Sequence, residues 1–310
     1  HDMSGECGMY DLPWTDESNT LPGTFARFST EGAMLLTWGG ADQPRLWDLS
    51  QDLVEVPFDL PEPLPGKFSF SGDFQKIAAV TEDDAIRIWN LRRGQNHLLP
   101  PETLQPVEQI TLSPDGQTLA LASQGRVQLW NLADRRSSRP IDAFRSPKGS
   151  YTMAFPPGSE GFVAGCTVSS IQWFGLRYFD RKGILSHEFD QNTTPHRVMA
   201  FALKADIMAT GSYGAICVLD VRTGQRIHTL VDKQVTNCLA LTPDGDRLAA
   251  AGPEGLIKIW DVSFGREIMT LKVQGTVISS LSFSSDGRIL ASADMHGVIR
   301  LWRGDDTPTE

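Results

Sequence analysis

Residues 241–262 read LTPDGDRLAAAGPEGLIKIWDV, and the parts of this stretch recur seven times along a chain of 310 residues. Thr242-Pro243-Asp244-Gly245 has the chemistry of a tight turn: proline presets φ at the second position, aspartate suits the third, and glycine closes the fourth. A short apolar run, Leu248-Ala249-Ala250-Ala251, ends at Gly252-Pro253-Glu254-Gly255, which is a second turn signal. Ile257-Lys258-Ile259-Trp260 then alternates with the period of two expected of a half-buried strand. The unit is strand, turn, strand, turn, strand.

Laid along the chain, the aromatic that closes this unit, or its stand-in, falls at Trp47, Trp89, Trp130, Phe179, Leu219, Trp260 and Trp302. The intervals are 42, 41, 49, 40, 41 and 42 residues by subtraction of those numbers. A repeat of about 40–45 residues with several strands per unit is the spacing of a propeller blade. The expectation is therefore an all-β, seven-bladed β-propeller of four-stranded antiparallel blades. The last repeat stops after Leu301-Trp302-Arg303-Gly304, one strand short of a full blade. An open ring would leave unpaired strand edges, so an N-terminal strand near residues 8–13 is predicted to complete the seventh blade.

Leu46-Trp47-Asp48-Leu49, Ile88-Trp89-Asn90-Leu91, Leu129-Trp130-Asn131-Leu132 and Ile259-Trp260-Asp261-Val262 resemble the Trp-Asp ending of the WD-repeat β-propeller family. The resemblance covers residues 24–303 and implies a binding module. Many such repeats join a Gly-His, a strand Ser or Thr, a turn Asp and the Trp in one hydrogen-bonded tetrad. Here no Gly-His occurs, and the residue before the turn glycines Gly125, Gly214, Gly255 and Gly297 is Gln124, Tyr213, Glu254 or His296. The strand position that could offer a hydroxyl is Ala250 in the sixth repeat and Ser292 in the seventh. The tetrad is thus mostly missing, and apolar packing between blades is expected to carry stability.

One domain over residues 1–310 is expected, with 1–23 as closing strand and loop, 24–304 as seven blades and 305–310 as a tail. The opening His1-Asp2-Met3 leads us to expect a longer natural protein. A chain of this size buries about 75% of its unfolded surface without needing a metal or disulfide. Cys7, Cys166, Cys217 and Cys238 show no CxxC pairing, so buried free thiols and a reducing, cytoplasmic setting are the default. No apolar run is long enough to span a bilayer, and the first thirty residues carry no signal-peptide pattern.

The extra length of the fourth repeat lies in residues 167–175, between its second and third strands. The turns between those strands place Asp42, Glu82, Asp83, Asp84, Gln124, Trp173, Phe174, Tyr213, Glu254 and His296 on one rim. That rim is acidic with an aromatic spot, and exposed aromatics anchor interfaces. Trp173 and Phe174 read equally as a lengthened hairpin packed on its neighbour. On the opposite rim, three consecutive repeats supply Arg92 and Arg93, then Arg135, Arg136 and Arg139, then Arg181 and Lys182. Neighbouring blades would merge these into one basic arc, suited to an acidic peptide, a phosphorylated partner or an anionic surface, or else into a set of solvated loops.

His1, His97, His187, His196, His228 and His296 show no HExxH or His-x-His spacing, and no GxSxG, P-loop or dinucleotide fingerprint occurs. No catalytic residue, metal or cofactor is predicted. The net charge of −10 argues against general nucleic-acid binding, whose affinity comes from neutralised phosphates. The reading is a monomeric, non-catalytic protein-interaction scaffold or sensor propeller. Two alternatives stand beside it: a propeller enzyme with its site at the channel mouth, and the regulatory C-terminal propeller of a multidomain kinase or nucleotide-binding switch. Carboxylates, histidines or a metal at the channel would favour the enzyme; alanine and serine would not.

Overall fold

Every repeat folds into successive antiparallel hairpins, and the marker residue lands on the third strand each time. Trp47 pairs with Leu35, Trp130 with Leu119, Phe179 with Phe162, Leu219 with Met208 and Trp260 with Leu248. The computed structural model describes residues 20–39, 42–51, 53–57, 67–81, 83–100, 104–144, 150–158, 161–168, 173–189, 198–211 and 214–303. Six blades run consecutively: Phe25–Phe28 to Val54–Val56, Lys67–Phe70 to Gln95–Leu98, Gln109–Leu112 to Arg136–Ser137, Ser150–Ala154 to Leu185–Glu188, Val198–Phe201 to Arg226–Leu230, and Cys238–Leu241 to Arg266–Lys272. The chain is a seven-bladed β-propeller.

The seventh blade takes Ile278–Phe283, Ile289–Asp294 and Val298–Arg303 from the C-terminal end and its outermost strand from the N-terminal end. Closure from the N-terminal side is as expected, but the closing strand is Leu21–Pro22, with Leu21 opposite Ile299 and Pro22 opposite Val298. The stretch named from the sequence, residues 8–13, lies outside the described residues. Pro22 lacks an amide to donate, and an outermost strand is where that loss does no harm. The amide of Gly23 continues the seam by donating to the Gly297 carbonyl at 3.0 Å.

The core is divided. Seven clusters of buried side chains each lie between two neighbouring blades, so every blade is sandwiched on both faces. Leu119, Leu121 and Trp130 of blade three pack on Ile86, Ile88 and Leu99 of blade two; Leu248, Ala250 and Trp260 of blade six pack on Ile216 and Val218 of blade five. At the closing seam Leu21, Ala291, Ala293 and Ile299 meet Ala26, Phe28 and Leu35 of blade one. Each fully buried aliphatic side chain is worth about 1.5–3 kcal/mol, so these interfaces supply the stability that a polar tetrad supplies elsewhere.

The first turn of four blades is built the same way. Ser71, Ser113, Thr242 and Ser284 each donate a hydroxyl to the aspartate two residues on, at 2.5, 2.5, 2.6 and 2.5 Å. The same oxygen accepts the amide five residues on at 3.0, 2.9, 3.0 and 2.9 Å. These turns also link blade to blade, through Thr30 N to Gly72 O at 2.9 Å, Gly72 N to Pro114 O at 2.8 Å and Lys204 N to Pro243 O at 2.7 Å.

The fourth blade spends its extra length in strand. Gly161–Val168 and Trp173–Asp180 have eight residues each, against five for Lys76–Val80 and Arg247–Ala251. Trp173 and Phe174 are therefore strand positions opposite Val168 and Thr167, not loop residues.

Candidate functional site

Antiparallel hairpins put all turns between second and third strands on one face of the ring and all turns between third and fourth strands on the other. On the first face Asp83, Asp84, Gln124, Glu254 and His296 are exposed turn residues. Asp42 opens the third strand of blade one, as Trp173 opens that of blade four, while Glu82 and Tyr213 lie outside the described residues. The hydroxyl of Thr81, then backbone amides, hold the Asp83 carboxyl below its ordinary range. Glu108 accepts the amide of Gln124 at 2.9 Å. The face is acidic at these points.

The second face is organised by the residue that follows the marker. Asp48, Asn90, Asn131, Asp180, Asp220 and Asp261 each accept a turn amide on a side-chain oxygen, from Ser50 (2.8 Å), Arg93 (3.1 Å), Ala133 (2.9 Å), Lys182 (2.9 Å), Thr223 (2.8 Å) and Phe264 (3.0 Å). Such Asx turns fix the loop without occupying its tip. Arg92, Arg93, Arg135, Arg181 and Lys182 occupy those tips and are exposed; Arg136 opens the fourth strand of blade three, and Arg139 lies further along that blade's outer edge.

Arg135 stands apart from its counterparts in residue type, not in backbone geometry. Its φ is 58°, in the left-handed region, where the corresponding turns of blades two, five and six carry Gly94, Gly224 and Gly265 at 60°, 72° and 63°. A side chain there costs about 1–2 kcal/mol, which glycine avoids. The charge also reaches across the seam: burial first, then Arg135 and Lys76, hold His97 of blade two below the ordinary imidazole range. Arg135 of blade three is thus close enough to blade two to act on a side chain there.

The polar tetrad is partly present. Trp47 Nε1 donates to Thr37 Oγ1 at 3.0 Å and Trp302 Nε1 to Ser292 Oγ at 2.8 Å. Thr37 escaped the sequence reading, although it lies ten residues before its marker as Ser292 does. In the same blade Asp294 accepts the amides of His296 and Val298 at 3.0 and 3.1 Å and pairs with Arg300 at 2.7 Å.

The innermost strands enclose an axial channel of about 560 Å³. Its described wall holds Ala26, Ala154, Ala200 and Ala240 with Ser69, Ser280 and Ser282, and no histidine or carboxylate. Among the described residues no group of three or more His, Cys, Asp or Glu is placed to hold a metal ion, and no helix is long and apolar enough to cross a membrane. Cys217 and Cys238 are buried and in no disulfide, and burial pushes the Cys238 thiol up to about 12. Cys7 lies outside the described residues.

Comparison with known proteins places this geometry in a known setting. The family model "WD domain, G-beta repeat" matches residues 224–261 and 265–303, each match running from the end of one blade through the third strand of the next. The chain is 24% identical over 232 residues to apoptotic protease-activating factor 1 of Rattus norvegicus, covering 68% of this chain and 17% of that protein. It is 29% identical over 171 residues to the periodic tryptophan protein 2 homolog of Dictyostelium discoideum, covering 51% and 17%. It is 20% identical over 226 residues to the human U3 small nucleolar RNA-associated protein 4 homolog, covering 69% and 32%. In each case the chain spans less than a third or about a third of the relative's length.

Proposed function

Because the chain is a WD-repeat β-propeller, we propose that it is a non-catalytic protein-interaction scaffold whose basic arc docks an acidic segment of a partner protein. The observation that carries this reading is Arg135, a cation held at a turn tip in a backbone conformation that glycine would adopt without strain. Asp84 at 58° and Gln124 at 47° hold the same conformation on the opposite rim, so what favours this face is its run of cations. Arg92, Arg93, Arg181 and Lys182 on the flanking blades extend the same charge, and Arg136 adds to it. Guanidinium forks suit carboxylates or phosphates of a partner, so a phosphorylated segment fits the same chemistry.

A propeller with this face serves alone or as the sensor end of a longer chain; both uses need the same docking surface. The experiment is affinity capture from native lysate with the wild type, an arc variant (Arg135→Glu, Arg136→Glu, Arg139→Glu) and a rim variant (Asp83→Lys, Glu254→Lys), each checked for folding. A partner lost with the arc variant and kept with the rim variant supports the proposal. A partner lost only with the rim variant places docking on the other face and overturns it.

A further inference from the structure

Nine large apolar side chains stand exposed among the described residues, and they are not evenly scattered. Five of them, Ile184, Leu185, Ile227, Phe264 and Ile268, lie on blades four, five and six, in or just after the turn between third and fourth strands. That is the second face, where blades two and three present arginine instead. The change of chemistry falls inside one turn. In blade four Arg181-Lys182 is followed, across Gly183, by Ile184-Leu185, which are 61% and 44% exposed. Exposed apolar residues met singly need no explanation, but a contiguous set bordered by charge marks an interaction surface.

The set is contiguous because the turns of this face lean on the fourth strand of the blade before. Gly224 of blade five comes so near His187 of blade four that a Cβ there would stand 2.6 Å from the ring, and at Gly265 of blade six a Cβ would stand 3.1 Å from His228 of blade five. His228 Nε2 also lies 3.1 Å from the Ser263 carbonyl oxygen. The Phe264 turn is thereby fixed: its amide donates to Asp261 at 3.0 Å, and the Arg266 guanidinium sits 5.3 Å from the ring centroid. The residue is still 73% exposed. An aromatic held outward at a fixed tip loses little freedom on being covered, which suits it to anchor a partner. The strand edges themselves are not prepared for an added strand. Ile227 is the extra residue between Arg226, opposite Leu219, and His228, opposite Val218; Ile268 is the extra residue between Glu267, opposite Trp260, and Met269, opposite Ile259. Such bulges interrupt the ladder, so a partner meets side chains here rather than an open row of backbone groups.

We propose that blades four to six carry the second half of the docking surface and take the apolar end of a partner protein's segment whose acidic end lies on the basic arc. The inference rests on the docking reading above and names its occupant: one polypeptide segment in which an acidic cluster adjoins aromatic or aliphatic residues. Charge selects the acidic part, since Arg92, Arg93, Arg135, Arg181 and Lys182 face it. Continuity selects the apolar part, because a segment that passes the cations of blade four meets Ile184 and Leu185 first, and Ile227 and Phe264 on the next two blades.

The test pans a random 16-residue peptide library displayed on phage against the whole chain, as wild type and as the double variant Ile184→Ser, Phe264→Ser. Serine removes apolar surface without adding a charge that would repel an acidic peptide, and both positions are exposed, so the variant is expected to keep the wild-type unfolding temperature. The expected result is enrichment on the wild type of sequences that join an acidic cluster to an apolar one, and on the variant of sequences that keep the acidic cluster alone. A synthetic peptide from the wild-type selection is expected to bind the double variant at least tenfold more weakly, and Phe264→Ser alone at least threefold more weakly, with the salt dependence of binding unchanged. Acidic sequences enriched without apolar residues, or equal affinity for wild type and variants, overturn this inference and leave the docking reading standing. Failure to enrich any acidic sequence overturns both. A third arm is sedimentation with vesicles of phosphatidylserine and phosphatidylcholine: binding there that is lost in Phe264→Ser makes the apolar set a lipid contact and overturns the proposal.

Discussion

Trp302 donates its indole N–H to Ser292 Oγ at 2.8 Å across the second and third strands of the seventh blade. In blades three and six the residues two steps above the marker's partner are Leu121 and Ala250, which offer no side-chain oxygen. The indole nitrogens of Trp130 and Trp260 are accordingly buried without a hydrogen-bond partner. An orphaned buried donor costs about 1–3 kcal/mol. Ala250→Ser is expected to raise stability by about 1 kcal/mol and Ser292→Ala to lower it by about 1–3 kcal/mol, read as shifts in denaturant midpoint. A midpoint that falls in Ala250→Ser would show that the Trp260 N–H lacks nothing.

The closing strand is two residues long, and most of its hold is Leu21, which is 6% exposed against Ile299 and Ala293. Leu21→Ala is expected to cost about 2–3 kcal/mol and to speed hydrogen exchange along Val298–Arg303 ahead of the other blades. Uniform exchange in all seven blades would mean that the ring is not held at this seam.

Two sets of groups set the acid limit of stability. Burial works to raise Asp244 and Asp286, but the hydroxyls of Thr242 and Ser284 and the turn amides outweigh it and hold both carboxyls below 3.8. Their contribution is present above pH 3.8 and is lost as pH falls through the folded values. Burial lowers His97 and His187 from 6.5, so the unfolded chain binds protons first and stability already declines below pH 6.5. His187→Phe, which keeps the stack on Tyr178 at 5.2 Å, is expected to flatten the urea midpoint between pH 6.5 and 5. An unchanged slope would acquit His187.

At the alkaline end, Lys258 is the group to watch. Burial pulls its ammonium down, yet the Asp232 hydrogen bond at 2.9 Å and charge, with Glu267 at 3.5 Å, raise it above 10.5. Its stabilising contribution is full below pH 10.5 and is lost as pH rises through the folded value. Asp232 is buried at the seam between blades five and six, so Asp232→Asn is expected to lower the midpoint at pH 8 and to weaken its fall above pH 10.5. The same fall in both proteins would assign it to other groups.

The architecture is readable from the chain because turn chemistry and strand period recur at nearly constant spacing, and each blade repeats the same register. The closing strand is not, because Leu21-Pro22 is too short for alternation to register. Trp173 and Phe174 read equally as a rim loop or a lengthened hairpin, because spacing locates an insertion but does not say whether it lengthens strand or turn. The arginines of the second face were legible as charge, while the strain at Arg135 is a backbone property that appears only in three dimensions.

The docking claim is tested most directly by Arg135→Gly, which removes the charge and relieves the backbone together. The measurement is the dissociation constant of the captured partner's acidic segment, by fluorescence anisotropy, for the wild type and Arg135→Gly, beside their denaturant midpoints. The account predicts a variant more stable by about 0.5–1 kcal/mol that binds at least about threefold more weakly, the ~0.7 kcal/mol of an exposed ion pair. A variant that binds as tightly as the wild type would contradict it.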